Sequence, residues 1–162
     1  MHKQHALMTD PNNTSTEKNP VGRFMVAAGA IIELNDSGKI LILQQSSKLD
    51  WQPSEWEIPY GRLDQFEDAE TGLRREMKEE LGIRSIEIVK VIRVWHIFRG
   101  SKKADNELIG ITYHCRTKTE KMHLSDEHEE YQWVAPEEAL TLVKVKGIRR
   151  DIEQFIRFQN LD

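Results

Sequence analysis

Gly61-Arg62-Leu63-Asp64-Gln65-Phe66-Glu67-Asp68-Ala69-Glu70-Thr71-Gly72-Leu73-Arg74-Arg75-Glu76-Met77-Lys78-Glu79-Glu80-Leu81-Gly82-Ile83 is the most informative stretch of this chain. Ala69, Leu73, Met77 and Leu81 recur every four residues. That spacing predicts a helix over 67–81 with one apolar face, stopped by Gly82. The polar side carries Glu67, Glu70, Arg75, Glu76, Glu79 and Glu80. Residues 76, 79 and 80 stand at i, i+3 and i+4, so their carboxylates share one face. Like charges so placed repel by a few tenths of a kcal/mol per pair in water, roughly, and Arg75, four residues before Glu79, offsets part of it. Such a cluster is either a solvated acidic face or a seat for a hard divalent cation. Mg²⁺ takes oxygen ligands in octahedral geometry and binds through a few carboxylates plus substrate phosphates.

Outward from the helix, strands dominate. Phe24 to Ile32 reads as a buried strand, Asn35-Asp36-Ser37-Gly38 as a hairpin turn, and Ile40 to Leu43 as its partner strand. Trp51 to Ile58 is loop-like around Pro53 and ends in a short strand. Ile86 to Phe98 and Leu108 to Arg116 are rich in β-branched residues and read as strands, joined by polar Gly100 to Asn106. Tyr131 to Val134 is a short strand, and Pro136 suits the first turn of a helix. Gly147 to Phe158 is amphipathic, with Ile148, Ile152, Phe155 and Ile156 on the inner side. Helices interleave with hairpins, which predicts an α/β fold with a mixed β-sheet covered by helices. Residues 1–20 are polar without periodicity and read as a flexible tail, with the folded domain over 21–162.

The chain has 162 residues, enough for one domain with a proper core. Hydrophobic residues are 38% and charged residues 31%, ordinary values for a globular protein. The apolar run from Phe24 to Ile32 is half what a spanning helix needs, about 18 residues, so no membrane association is expected. Cys115 is the one cysteine, which excludes a disulfide scaffold and suits a reducing, cytoplasmic setting. The net charge of −4 does not favour a stable nucleic-acid complex.

The quoted stretch resembles the Nudix box, G-x5-E-x7-R-E-U-x-E-E-x-G-U. Gly61, Glu67, Arg75, Glu76, Glu79, Glu80 and Gly82 fill the fixed positions, and Met77 and Ile83 fill the apolar ones. A given start matches by chance on the order of 10⁻⁹, so the signal is specific. The Trp56 to Pro59 approach and the Trp133 to Leu140 stretch also look like the family. The resemblance implies an α/β/α sandwich that hydrolyses a nucleoside diphosphate linked to another group, with Mg²⁺ or Mn²⁺. It implies that Glu76, Glu79 and Glu80 bind metal, with the Gly61 carbonyl often added. Glu67 and Arg75 would chiefly hold the loop–helix–loop by an ion pair. The carboxylate that takes a proton from the attacking water would be Glu79 or, as in many members, a glutamate on a later loop, here Glu127. His128 is either a base or leaving-group residue or an ordinary surface-loop histidine. Asp105 and Glu107 are weaker options.

The sequence departs from the family beside the box. Tyr60 stands where Gly is common, Asp64 where Glu is, and Phe66 where Gly is. Tyrosine is disfavoured at positive φ, so residue 60 must be extended or the loop rebuilt. Trp51, Trp56, Trp95 and Phe98 are candidates to stack a base, and Arg23, Arg62, Arg93 and Arg99 to meet phosphate; packing and solvation are the alternatives. Cys115 reads as inert core. By elimination of subfamily markers, the resemblance points to house-cleaning nucleoside triphosphate hydrolases, and a homodimer is compatible with it because many relatives dimerise. A nucleotide-sugar hydrolase or a catalytically silent ligand sensor of the same fold is the alternative. An isoprenoid diphosphate isomerase would want a cysteine near the site entrance and a degenerate box, and RNA decapping would want a basic stripe.

Overall fold

The computed structural model describes residues 22–35, 37–50 and 52–161. The tail over 1–20, Asp36 of the turn and Trp51 lie outside the described residues. The sheet is built around β1 (Met25–Leu34), which is apolar on both faces. It pairs in parallel with β6 (Glu107–Thr117) and antiparallel with β2 (Ile40–Gln45) and β4 (Tyr60–Arg62). The sheet is therefore mixed. Its main path runs β3 (Trp56–Glu57), β2, β1, β6, β5 (Glu87–Phe98), with β7 (His128–Val134) joined to β2.

Alternation along the strands feeds two cores. Ala28, Ala30, Ile32, Leu41 and Leu43 face α1 (Ala69–Leu81) and its Leu73, Met77 and Leu81. Ile31, Ile40 and Ile42 face α2 (Pro136–Leu142) and α3 (Lys146–Gln159), where Ala139, Ile148, Ile152 and Phe155 meet them. Each fully buried Leu, Ile, Met or Phe among them contributes about 1.5–3 kcal/mol. Helices on both faces make the molecule an α/β/α sandwich, the architecture expected from the sequence.

Beyond shifts of one or two residues at strand and helix ends, three differences from the sequence reading have a local reason. Helix α1 starts at Ala69, not 67, because Asp68 caps it, accepting from the backbone N–H of Glu70 at 3.1 Å and of Thr71 at 3.0 Å. Gly82 ends the helix as expected, in the left-handed region at φ 70. Strand β4 was not foreseen: its three residues are extended because β1 pairs with them, Ala28 opposite Gly61. Strand β7 begins at His128 rather than Tyr131, since β2 continues past a bulge between Gln44 and Gln45 to pair with it. Among the described residues no helix is long and apolar enough to cross a membrane.

Candidate active site

Starting α1 at residue 69 leaves Glu67 outside the helix, and its carboxylate turns back onto Arg75. Arg75 Nε donates to Glu67 Oε1 at 2.9 Å and Nη2 donates to Oε2 at 2.8 Å. This two-pronged bond holds the Glu67 carboxyl below its usual range, helped by the Asp64 N–H, and raises Arg75 further above its own. Nη2 also donates to the Arg62 carbonyl at 3.0 Å, so one guanidinium ties β4, the loop and α1 together. Its Nη1 reaches Glu76 at 2.7 Å and Glu79 at 3.3 Å.

Gly61 lies directly beneath Glu76. A Cβ on residue 61 would stand 1.8 Å from Glu76 Cγ, so no side chain fits there. Tyr60 is extended in β4, the first of the two outcomes its side chain allowed. Phe66 takes the left-handed conformation instead, at φ 70, with its ring 99% exposed.

Glu80 is in the last turn of α1 and lines the cleft, 8% exposed. The 123–127 loop is laced to that turn: the His123 N–H donates to the Leu81 carbonyl and the Ser125 N–H to the Glu80 carbonyl, both at 2.9 Å. The Ser46 N–H donates to the Glu127 carbonyl at 2.8 Å, anchoring the loop to β2 as well. Glu127 is thereby carried to the same cleft as Glu76 and Glu80. Burial, and then the charges of Glu76, Glu127 and Glu57, push the Glu80 carboxyl up to about 9. Its Oε2 is buried with no hydrogen-bond partner.

Glu57 was missed by the sequence reading. It sits on β3 and its carboxylate is bracketed by its neighbours: Gln45 Nε2 donates to Oε2 at 2.7 Å, and His128 Nε2 lies 3.1 Å from Oε1. His128 is accordingly not a surface-loop histidine; it is buried at the start of β7.

The cleft encloses about 1220 Å³. Glu57, Gly61, Glu76, Glu80, Glu127 and His128 line one part of it. Glu79 does not: its side chain is 59% exposed and turned to Arg75. With Glu76 and Glu79 both drawn to Arg75, no three described acidic, histidine or cysteine side chains are gathered in ligating positions. The donor set still suits a hard cation. Apart from His128, which pairs with Glu57, its donors are oxygens; one is an orphaned buried carboxylate oxygen, and Glu80 is destabilised as an anion until a positive charge arrives.

Beyond Gly61 the cleft continues past Tyr60, Trp95, Arg93 and Arg99. Trp56 packs against the α2–α3 core instead, and Phe98 stacks edge-on with His96. Arg62 lines the cleft rim; Arg23 does not line it. Glu107 pairs with His96 at 2.8 Å and Asp105 is in the exposed turn before β6; neither is among the described cleft-lining residues. Cys115 is buried, and burial pushes its thiol up to about 12. Asp151 was also missed, although its signal was present: it stands at i+3 from Ile148 on the inner face of α3, a carboxylate among apolar positions.

Comparison with known proteins shows the family and the fold. A family model described as NUDIX domain matches residues 23–157. The chain is similar to the nucleoside triphosphatase NudI of Escherichia coli, 24% identical over 113 residues, covering 65% of this chain and 79% of that protein. In fold it is similar to a MutT protein from Methanosarcina mazei, with TM-score 0.70 and 22% identity over 89% of this chain and all of that one. A C. elegans Ap4A hydrolase gives TM-score 0.69 and 23% identity, covering 85% and 99% of the two chains. At these identities the structures speak for the fold alone. The match across 23–157, with the intact box folded as a loop–helix–loop around Arg75, shows that this chain belongs to the Nudix hydrolase family.

Proposed function

We propose that this protein is a Mg²⁺-dependent pyrophosphohydrolase, with Mn²⁺ as a substitute, cleaving a phosphoanhydride bond in a nucleoside triphosphate or a related nucleoside diphosphate derivative. The observation that carries this is the buried Glu80 carboxyl, with one orphaned oxygen, among Glu76, Glu127 and Glu57. Such a cluster stabilises nothing on its own and suits a cation brought together with a polyanionic substrate. The nucleoside triphosphatase activity named for the Escherichia coli relative supports the substrate class.

Glu76 and Glu80, with the Gly61 carbonyl, would hold the cation; Glu79, which the resemblance adds to that set, faces Arg75 outside the cleft and would join only by leaving that ion pair. When bound, the cation neutralises phosphate charge and acidifies a water. Glu127 takes the water's proton: it lines the cleft and its charge is felt at Glu80, whereas Glu79 is turned outward. Arg75 and Glu67 keep the loop carrying Gly61 against α1, which fixes Glu76. His128 and Gln45 hold the Glu57 carboxylate in place.

The test is product-resolved hydrolysis of nucleoside triphosphates, oxidised dGTP, ADP-ribose, nucleotide sugars and diadenosine polyphosphates, with Mg²⁺, Mn²⁺ or chelator. Turnover that requires metal and falls at least about 100-fold in Glu80→Gln and Glu127→Gln is expected, with both variants folded. Metal-independent turnover, or an active Glu80→Gln, would overturn the proposal. Ligand binding without turnover across the panel would make the chain a sensor.

A further inference from the structure

The described carboxylate end of the cleft suits a cation and phosphate. The other end is built differently. Trp95 is opposite Gly110 on β6, and its ring fills the space a side chain on residue 110 would take; a Cβ there would be 2.1 Å from the indole. Its indole N–H donates to Thr112 Oγ1 at 2.9 Å, and the Tyr60 ring meets it edge-on, 5.8 Å between centroids at 88°. Trp95 is thus fixed on one side while still lining the cleft on the other.

One buried carboxylate organises this wall. Asp151 is 0% exposed. It accepts from Arg93 Nε at 2.5 Å, from Thr112 Oγ1 at 2.9 Å and from Tyr60 OH at 3.4 Å. Thr112 passes the restraint on to Trp95. Arg93 Nη2 donates to the Gly147 carbonyl at 3.0 Å, so two of the guanidinium's five N–H donors are spent on holding it. Arg93 lines the cleft two residues from Trp95 on the same strand face, a spacing of about 7 Å. Tyr60, the departure from the family pattern beside the box, belongs to this wall: its ring fills the space over Gly29 and its hydroxyl reaches Asp151.

We propose that Tyr60, Trp95 and Arg93, held by Asp151, form the base subsite of this cleft, and that it takes a nucleobase presenting adjacent hydrogen-bond acceptors, an oxopurine, in preference to adenine. The inference rests on the nucleotide reading of the site. Trp95 supplies the stacking face, worth about tenfold or more in affinity for any base. Arg93 supplies the choice. Guanine and hypoxanthine present O6 and N7, two acceptors that match paired N–H donors; adenine puts an amino donor beside N7 and leaves one Arg93 donor opposed.

The test is calorimetric binding of GMP, IMP and AMP to the full-length protein in Mg²⁺, alongside kcat/KM for GTP, ITP and ATP. GMP and IMP are expected to bind roughly tenfold tighter than AMP. Arg93→Gln, which can still hydrogen-bond Asp151, should erase or invert that ratio. Trp95→Leu should weaken all three about equally and keep it. Equal binding of GMP and AMP by the unmodified protein overturns the proposal, as does an Arg93→Gln variant, folded by its melting curve, that lowers both alike; that second result would assign Arg93 to phosphate. Failure of all three to bind also overturns it. Turnover with no base preference removes the subsite and leaves the hydrolase; base preference without turnover does the reverse.

Discussion

Glu80 shows how burial among other carboxylates disfavours a single charge. Its ordinary value is near 4.5, and in the folded, metal-free protein it stands at about 9. Between those values the folded state binds a proton that the unfolded state has released. Stability therefore falls as pH rises through that window, and is greatest below it. In chelator, the melting temperature is expected to drop steadily from pH 5 to pH 9, and Glu80→Gln, neutral throughout, should flatten that slope and melt higher at pH 8. A slope unchanged in the variant would show that Glu80 is not the group responsible. Gly61 is the steric counterpart. A methyl at residue 61 meets Glu76 Cγ at 1.8 Å, so Gly61→Ala must displace that carboxylate or the strand. A displacement of about 1 Å costs roughly 100-fold in turnover, and the overpacking about 1–3 kcal/mol of stability. Kinetics and urea denaturation of the one variant read both. At this scale legibility in the sequence was uneven. The box residues stand at fixed spacings along one helix and its entry loop, so local sequence determines where they sit. Glu57 sits on a two-residue strand and becomes part of the site only because β2 delivers Gln45 and β7 delivers His128. No local pattern encodes that meeting.

Among the elements, α1 was legible because its apolar period and its stop signal agree, and Leu73, Met77 and Leu81 are fully buried. Its start was not, because Asp68 competes with Glu67 for the cap and wins two backbone donors. Strand β4 was illegible for the opposite reason: three residues carry no period, and their extended shape is imposed by β1. The loop between β4 and α1 bears one strained point. Phe66 at φ 70 costs about 1–2 kcal/mol relative to a relaxed conformation, and its ring is exposed, so no burial repays it. Phe66→Gly removes that strain and adds about 0.4–1 kcal/mol of unfolded-chain freedom. A net gain of roughly 0.5 kcal/mol is expected, read as a higher urea midpoint with an unchanged denaturant slope. A loss would mean that the exposed ring makes a contact worth more than the strain.

Across the whole molecule, the two cores lie on opposite faces of the sheet, and the cleft opens beside β4 and the first residues of β7, touching the second core at Ile148 and Tyr60. Most of each core, including Ile32, Leu41, Leu73, Met77, Ile152 and Phe155, is packed away from the cleft, so chelator should not unfold the protein. On the proposed function, the site would link metal binding to protons. The cleft's carboxylates repel one another, Arg75 answers part of the charge by drawing in Glu76 and Glu79, and the proton on Glu80 answers more. A divalent cation that takes oxygen ligands from Glu80 must displace that proton. Binding should therefore tighten as pH rises from 6 towards 9, and the Mg²⁺-induced increase in melting temperature should widen over the same range, following mass action at each pH. Calorimetry of Mg²⁺ binding near pH 7.5, repeated in two buffers of different ionisation enthalpy, should report release of about one proton per bound ion from the unmodified protein. Glu80→Gln should release close to none. Equal proton release by both would place the displaced proton on another group and separate the elevated carboxyl from the metal.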